Sequence, residues 1–407
     1  MSDSAIRPYA GRRVLLGISG GIASYKSAWL ARLLTKAGAD VDVVMTRSAL
    51  EFVGAVTFEA LTGREVHTGL FDAGRALDHV KLARAADAIV LAPATADLMA
   101  RAATGQANDL LTACLLAAEA PVLMVPAMND RMWSHAQTQH NVTHLRSLGY
   151  TVLQPDAGML AAGEGAGPGR MPEPDTILAY VGRLLETDRR LAGRRILVTA
   201  GPTREAIDPV RFISNRSTGK MGVALAASAW RRGADVTLVA GPLAVAVPVG
   251  VDQECVETTQ EMRDAVEKHI AAADVLVMCA APSDYRAAEP AERKMKKTGA
   301  SRNVELVETP DILLSTKSAR RAGSVIVGFA LETDDELANA RRKLETKDVD
   351  MVVLNSAREP GAGFATETNR VTILRRGSAS PEELPLLSKT AVADLILDRV
   401  AELLDGR

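Results

Sequence analysis

Short β-branched runs alternate with longer alanine- and leucine-rich stretches along almost the whole chain, and few architectures accept that alternation. Val14-Leu15-Leu16-Gly17-Ile18 reads as a buried strand. It runs through Ser19-Gly20-Gly21 into a helix over 23–37, which Gly38 can cap. Val41–Met45, Ala88–Ala92 and Val122–Val125 read as the next strands. Strands that are apolar on both faces and alternate with helices imply a parallel sheet covered on both sides.

The pattern then starts again. Arg194–Gly201 repeats the character of the first strand, Gly233–Val239 echoes Gly38–Val44, and Ala272–Val277 echoes Ala85–Val90. With 407 residues, against roughly 100–200 per domain, two tandem α/β, Rossmann-like domains are expected. The charged stretch Glu186–Arg190 is the linker, so the domains are 1–190 and 191–407. Three cysteines, at 114, 255 and 279, make neither a disulfide framework nor a zinc pattern. Lysine plus arginine number 48 against 50 acidic residues, so the basic excess of a general nucleic-acid binder is missing. No apolar run approaches a membrane span or a signal-peptide core. A cytoplasmic protein without nucleic-acid or membrane partners is expected.

Three segments break the periodicity: Asp156–Pro174, rich in glycine and proline, reads as a loop or flap; Ala287–Ser301 carries Arg293-Lys294-Met295-Lys296-Lys297; Pro360–Thr368 reads as a surface turn. Gly17–Ala23 joins a strand to a helix, where backbone amides can point at an anion. It is neither a GxGxxG fingerprint nor a Walker loop, and a tight packing turn is the alternative. Thr46-Arg47-Ser48, Ala92–Asp97 and Pro126–Trp133 follow later strands, where α/β sheets bind ligands; helix capping explains each of them equally well. His79, beside Asp78 in a loop-like stretch, suits proton transfer, yet its spacing does not single it out among six histidines. In the second half, Gly201–Glu205 and Ser214–Gly222 precede helices, and Arg211, Lys220 and the Lys294 cluster supply cations. These suit a nucleoside triphosphate or form a solvated basic face.

Taken in order, these motifs resemble the bifunctional phosphopantothenoylcysteine decarboxylase/phosphopantothenate–cysteine ligase family of coenzyme A synthesis. The resemblance spans about residues 11–405 and adds Gly167-Pro168-Gly169-Arg170-Met171, Ile213–Gly222 and Gly328–Thr333. It implies a flavoprotein domain followed by a ligase domain. In the ligase, CTP with magnesium activates 4′-phosphopantothenate as an acyl-cytidylate, and L-cysteine displaces CMP. In the flavoprotein domain, FMN serves the decarboxylation to 4′-phosphopantetheine. The resemblance also implies a homo-oligomer, with trimeric flavoprotein domains and dimeric ligase domains, hence a dodecamer.

Carried over position by position, His79 matches the active-site base and Asn129 the substrate-binding asparagine. Ser19, Gly20, Gly21, Ile22, Thr46, Ser48, Ala92, Pro93, Ala94, Thr95 and Met132 match the FMN-binding positions. Arg211 and Asn215 match residues for phosphopantothenate and its activated form. Ala281, Asp284, Lys294, Pro310, Asp311, Ile312, Phe329, Lys343 and Lys347 match the CTP site, with Lys294 offsetting charge.

One departure stands out. Where the family's flap carries a proton-donating cysteine, this chain has Ala162. Either the reaction stops after oxidative decarboxylation, or Glu164 or a flap-held water donates instead, and the second is expected. Two rival readings differ in class. A dinucleotide-dependent reductase would need the missing GxGxxG with its acid, and a non-catalytic flavin-binding regulator would have no use for Lys294 and Asn215.

Overall fold

The β-branched runs form strands and the alanine-rich stretches form helices. The computed structural model describes residues 8–71, 75–159, 165–296, 303–332, 335–356, 363, 365–378 and 380–407. The chain divides into two units, Met1–Glu186 and Thr187–Arg407.

In the first unit, β1 (Arg13–Ile18), β2 (Asp40–Met45), β3 (Val66–His67), β4 (Ala88–Ala94), β5 (Val122–Pro126) and β6 (Thr151–Val152) pair in the order β3-β2-β1-β4-β5-β6, all parallel. The helices are α1 (Ser24–Lys36), α2 (Ala55–Thr62), α3 (Asp78–Ala85), α4 (Ala96–Ala103), α5 (Leu110–Leu116), α6 (Asp130–Ser134), α7 (Ala136–Ser147) and α8 (Pro174–Leu185). Strand side chains alternate between two cores. Val14, Leu16 and Ile18 of β1 pack with Leu30, Leu34 and Ile177 on one face. Leu15 packs with Leu98, Leu111 and Leu145 on the other. That double coverage is why the strands show no polar alternation. Helix ends follow local chemistry: Asp109 and Thr112 form a capping box for α5, and Gly63, at φ 69°, closes α2.

Asp156–Pro174 is not the plain loop expected. Its described part is an antiparallel hairpin, β7 (Asp156–Met159) with β8 (Ala166–Arg170), followed by the start of α8. Gly169 makes this possible, because an added Cβ there would lie 2.2 Å from the Met128 carbonyl oxygen.

The second unit repeats the plan. Its strands are β9 (Arg195–Ala200), β10 (Arg204–Ala206), β11 (Phe212–Ser214), β12 (Asp235–Ala240), β13 (Asp252–Cys255), β14 (Val275–Met278), β15 (Tyr285–Ala287), β16 (Leu306–Glu308), β17 (Val325–Glu332), β18 (Met351–Ser356), β19 (Thr368–Asn369), β20 (Val371–Arg375), β21 (Glu382–Glu383) and β22 (Leu387–Ser388). Its helices are α9 (Lys220–Arg231), α10 (Thr259–Ile270), α11 (Ile312–Ser315), α12 (Glu336–Thr346) and α13 (Lys389–Asp405). The main sheet runs β13-β12-β9-β14-β17-β18-β20-β21, parallel as far as β18 and antiparallel beyond it. Gly222 lets α9 sit close on β9: a Cβ there would be 2.5 Å from that of Ala200.

β1 lies between β2 and β4, and β9 lies between β12 and β14, so the connections leave each first strand in opposite directions. The crevice this opens at the strands' carboxyl ends is where such folds take ligands.

Candidate active sites

The first cavity, of about 580 Å³, lies at the carboxyl ends of β1 and β4. Ser19 directly follows β1 and is buried. Its hydroxyl donates to the Pro93 carbonyl at 2.7 Å and accepts from the Thr95 amide at 3.0 Å. Gly20 has no room for a side chain, since a Cβ would come within 2.4 Å of the Ser48 Cβ and 2.8 Å of its carbonyl oxygen. Among the described residues, the Gly20, Gly21 and Ile22 amides have no acceptor. With the hydroxyls of Ser19, Thr46, Ser48 and Thr95 around the same cavity, they form an anion cradle at the start of α1.

Asn129 and Met132 also line this cavity. Asn129 is both helix cap and cavity residue. Its Oδ1 accepts from the Arg131 amide at 2.9 Å, which leaves its Nδ2 hydrogens for a ligand.

Ala92, Pro93 and Ala94 depart from the expected cofactor shell. All three are buried within β4, so their side chains belong to the core. They act through carbonyls: Pro93 holds Ser19, and Ala92 accepts from Ser27 at 2.6 Å. His79 sits in the first turn of α3, not in a loop. It lines a different cavity, of about 530 Å³, with Leu70, Phe71 and Leu116, and its buried Nδ1 has no hydrogen-bond partner among the described residues. Ala162 and Glu164 lie outside the described residues.

Sequence reasoning missed Lys26. It lines the first cavity, is buried, and donates to the Met171 carbonyl at 2.8 Å and to Glu173 at 3.0 Å. It thereby ties α1 to the end of the β7–β8 hairpin. One buried lysine on a helix otherwise patterned for packing carries no sequence signal.

The second unit brings some expected residues together and separates others. Asn215, Ala281, Asp284 and Phe329 line one cavity of about 300 Å³. Asn215 spends its amide hydrogens on the Ala281 and Pro282 carbonyls, at 3.2 and 2.9 Å. It holds the loop that follows β14. Asp284 is the one carboxylate among the described residues lining this cavity.

Pro310, Asp311, Ile312, Lys343 and Lys347 form a second group outside that lining. Asp311 caps α11 and pairs with Lys347. Burial alone would raise its carboxyl pKa, but the Lys347 ammonium and the Leu314 amide outweigh burial and hold it below the usual range. Ile312 is buried as a core residue. Lys343 donates to the Phe329 carbonyl at 2.5 Å, which links this group to the cavity.

Arg211 and Lys294 make a third group. Arg211 donates to the Met295 carbonyl at 3.1 Å, and Asp208 accepts from the Met295 amide at 3.2 Å. This pins the loop on which Lys294 stands exposed. Lys220, Asn355, Asn369 and Lys389 also line the first cavity of this unit. Of these, only Lys220 was flagged by its motif.

Comparison with known proteins decides the family. The flavoprotein family model matches residues 3–186, and the DNA/pantothenate metabolism flavoprotein C-terminal domain model matches 191–404. The coenzyme A biosynthesis bifunctional protein CoaBC of Mycolicibacterium smegmatis is 47% identical over 414 residues, covering 98% of this chain and 99% of that protein. This chain belongs to the CoaBC family. The CoaBC of Vibrio vulnificus strain CMCP6 is 45% identical over 399 residues, covering 97% of this chain and 98% of that protein. A solved C-terminal domain of a CoaBC protein is 38% identical, covers 54% of this chain and all of its own, and has a TM-score of 0.46.

As a CoaBC member the chain is a bifunctional enzyme of coenzyme A biosynthesis, with a flavoprotein decarboxylase half and a ligase half. The reading in which its chemistry stops at oxidative decarboxylation is not favoured by that membership. No described helix is long and apolar enough to cross a membrane.

Proposed function

We propose that the second unit joins L-cysteine to 4′-phosphopantothenate with CTP, through an acyl-cytidylate. The first unit, holding FMN, then decarboxylates the product to 4′-phosphopantetheine. The observation that carries this reading is the anion cradle at Ser19–Ile22. Its ownerless amides and ring of hydroxyls fit the FMN phosphate, and the apolar Met132 side of the same cavity fits a flavin ring. Bound there, FMN would supply a two-electron acceptor and donor, so the decarboxylation would need no external oxidant.

The chain's own groups do the positioning. Asn129 offers Nδ2 to the substrate carboxylate, and Lys26 fixes the hairpin beside the cavity. His79 is the base, and it lines a different cavity from Asn129. Around both cavities stand exposed apolar side chains, including Phe71 at 90%, Leu116 at 66% and Ile22 at 66% exposure. An oligomer in which a second copy lends its His79 would complete the site and cover these residues. That is the trimeric arrangement implied by the resemblance. Dimeric ligase domains, and a dodecamer overall, extend the same reading.

In the ligase, a carboxylate must gain a leaving group before an amine can displace it. Lys294 offsets the charge that builds on the phosphates. Arg211 braces the loop carrying Lys294, and Asn215 braces the loop carrying Asp284. Among the described residues no group of three or more His, Cys, Asp or Glu could hold a metal. Magnesium would be held chiefly by CTP phosphates and water, and Asp284 is the carboxylate among the described cavity-lining residues that would face it. Pro310, Asp311, Ile312, Lys343 and Lys347 support the nucleotide beside Phe329.

Two single substitutions test the division of labour. Lys294→Gln should lower the ligation rate by about 100-fold or more and leave flavin content and carbon dioxide release unchanged. His79→Asn should keep flavin and ligation but lose carbon dioxide release. Ligation at the parental rate in the first, or decarboxylation at the parental rate in the second, would remove that residue from its role.

A further inference from the structure

The cavity of the second unit has a corner that the nucleotide reading leaves unused. Asn355 stands at the carboxyl end of β18, in register with Leu331 of β17 and Val371 of β20. It lines the cavity, and its Oδ1 is buried without a hydrogen-bond partner among the described residues. A buried carbonyl oxygen left unpaired is costly, so such an atom points to a donor brought by a ligand. Phosphates cannot pair with it, because they carry only acceptors at neutral pH.

The same cavity is lined by two lysines, Lys220 and Lys389. Lys220 Nζ donates to the Ala365 carbonyl at 3.0 Å and pairs with the exposed Glu367. Lys389 is buried, donates to the Gly363 carbonyl at 2.8 Å and to the Thr366 carbonyl, and has its pKa lowered by burial and by the nearby Lys220 charge. Two cations drawn together in a small cavity favour an anion there. An orphan acceptor and two cations lining one cavity of about 300 Å³ match a small molecule that carries a donor and an anion close together. A nucleotide separates its base amine from its phosphates by a ribose. An amino acid carries an ammonium and a carboxylate on one carbon. Cys279, in the same lining, has its thiol pKa pushed up to about 12 by burial. It stays a neutral, compact neighbour and no rival nucleophile.

We infer that this corner is the subsite for the L-cysteine co-substrate of the ligase: Asn355 Oδ1 accepts from its amino group, and Lys220 and Lys389 hold its carboxylate. The inference rests on the ligase reading above. In the step served, the ammonium first gives one proton to solvent. The amine nitrogen then bonds to the acyl carbon, the acyl C–O bond breaks, and the second proton leaves with the CMP phosphate.

The experiment separates the two half-reactions. Acyl-cytidylate formation, read as pyrophosphate release in a single turnover without cysteine, tests the ligase reading alone; no release by the parental enzyme would sink that reading. Asn355→Ala should leave this burst intact and raise the KM for L-cysteine about 10-fold or more. Asn355→Asp, which keeps the acceptor and the shape, should restore KM to within a few-fold. Cysteamine, which lacks the carboxylate, should react with the parental enzyme at a KM at least 10-fold above that of L-cysteine, and Lys220→Met should erase the difference. An unchanged cysteine KM in Asn355→Ala would overturn the assignment. So would a pyrophosphate burst that falls together with ligation, because Asn355 would then serve the nucleotide.

Discussion

A methyl group on Gly20 would meet Ser48 backbone and side-chain atoms at 2.4–2.8 Å, so the cradle exists only because residue 20 has no Cβ. Gly20→Ala must push the β2–α2 connection outward and part the hydroxyls from the amides. Flavin content after gel filtration, read by absorbance, should fall about 10-fold or more; a fully yellow variant would disprove the cradle. The flap poses the complementary question. Ala162 cannot donate a proton. Cys114 is fully buried in α5, with its pKa pushed up to about 12, chiefly by burial. None of the three cysteines lies in the flap sequence, and burial pushes the Cys279 thiol up to about 12. The donor is therefore expected to be Glu164 or a water held by the flap. Anaerobic turnover should return oxidised flavin over many cycles, and Glu164→Gln should slow the return about 10-fold or more if the carboxyl donates. Flavin that bleaches once and stays bleached would contradict a substitute donor. At this scale legibility was uneven. Gly20 was readable because glycine between a strand and a helix implies close backbone approach. Lys26, Asn355 and Lys389 were not, since burial alone separates them from ordinary polar residues. The burial of Ala92–Ala94 was not readable from the resemblance, which carries over positions, whereas the sheet decides where the side chains point.

Between Glu186 and β9 the chain is held by charges. Asp188 pairs with Arg190 at 2.7 Å and Arg232 at 3.5 Å, and Arg232 continues to Asp398 of α13 at 2.7 Å. The Arg190 hydrogen bonds, first among the causes, draw the Asp188 carboxyl down from 3.8 to about 2. A folded-state pKa below the unfolded one adds stability above the unfolded value, and that stability is lost as pH falls through the folded value. The contribution of Asp188 is therefore complete above about pH 4 and disappears towards pH 2. Chemical denaturation across pH 2–6 should show Asp188→Asn less stable than the parent at pH 6, with the gap closing towards pH 2. A gap that stays constant would rule out the linkage. The elements themselves were legible because strands covered on both faces must be apolar throughout, while helices between them keep a 3.6-residue period. The β7–β8 hairpin was not, because a glycine- and proline-rich stretch conceals the two-residue alternation of a strand.

Across the whole molecule, one sheet plan occurs twice with different surroundings. The first unit places backbone amides and hydroxyls at its crevice, which suits a bound phosphate ester. The second places lysines, asparagines and, among the described residues, a single carboxylate there, which suits a charged substrate that must react and leave. The repeat was legible from the paired strand echoes, and the chemistry came from the resemblance and from CoaBC relatives matched along nearly the full chain. The central claim is that one chain carries both consecutive reactions. The direct measurement is a stoichiometry: purified protein with CTP, magnesium, 4′-phosphopantothenate and L-cysteine, followed for pyrophosphate, carbon dioxide and product mass. The account predicts one pyrophosphate and one carbon dioxide for each 4′-phosphopantetheine formed. Pyrophosphate release that does not depend on phosphopantothenate, or phosphopantothenoylcysteine that accumulates without carbon dioxide, would contradict it.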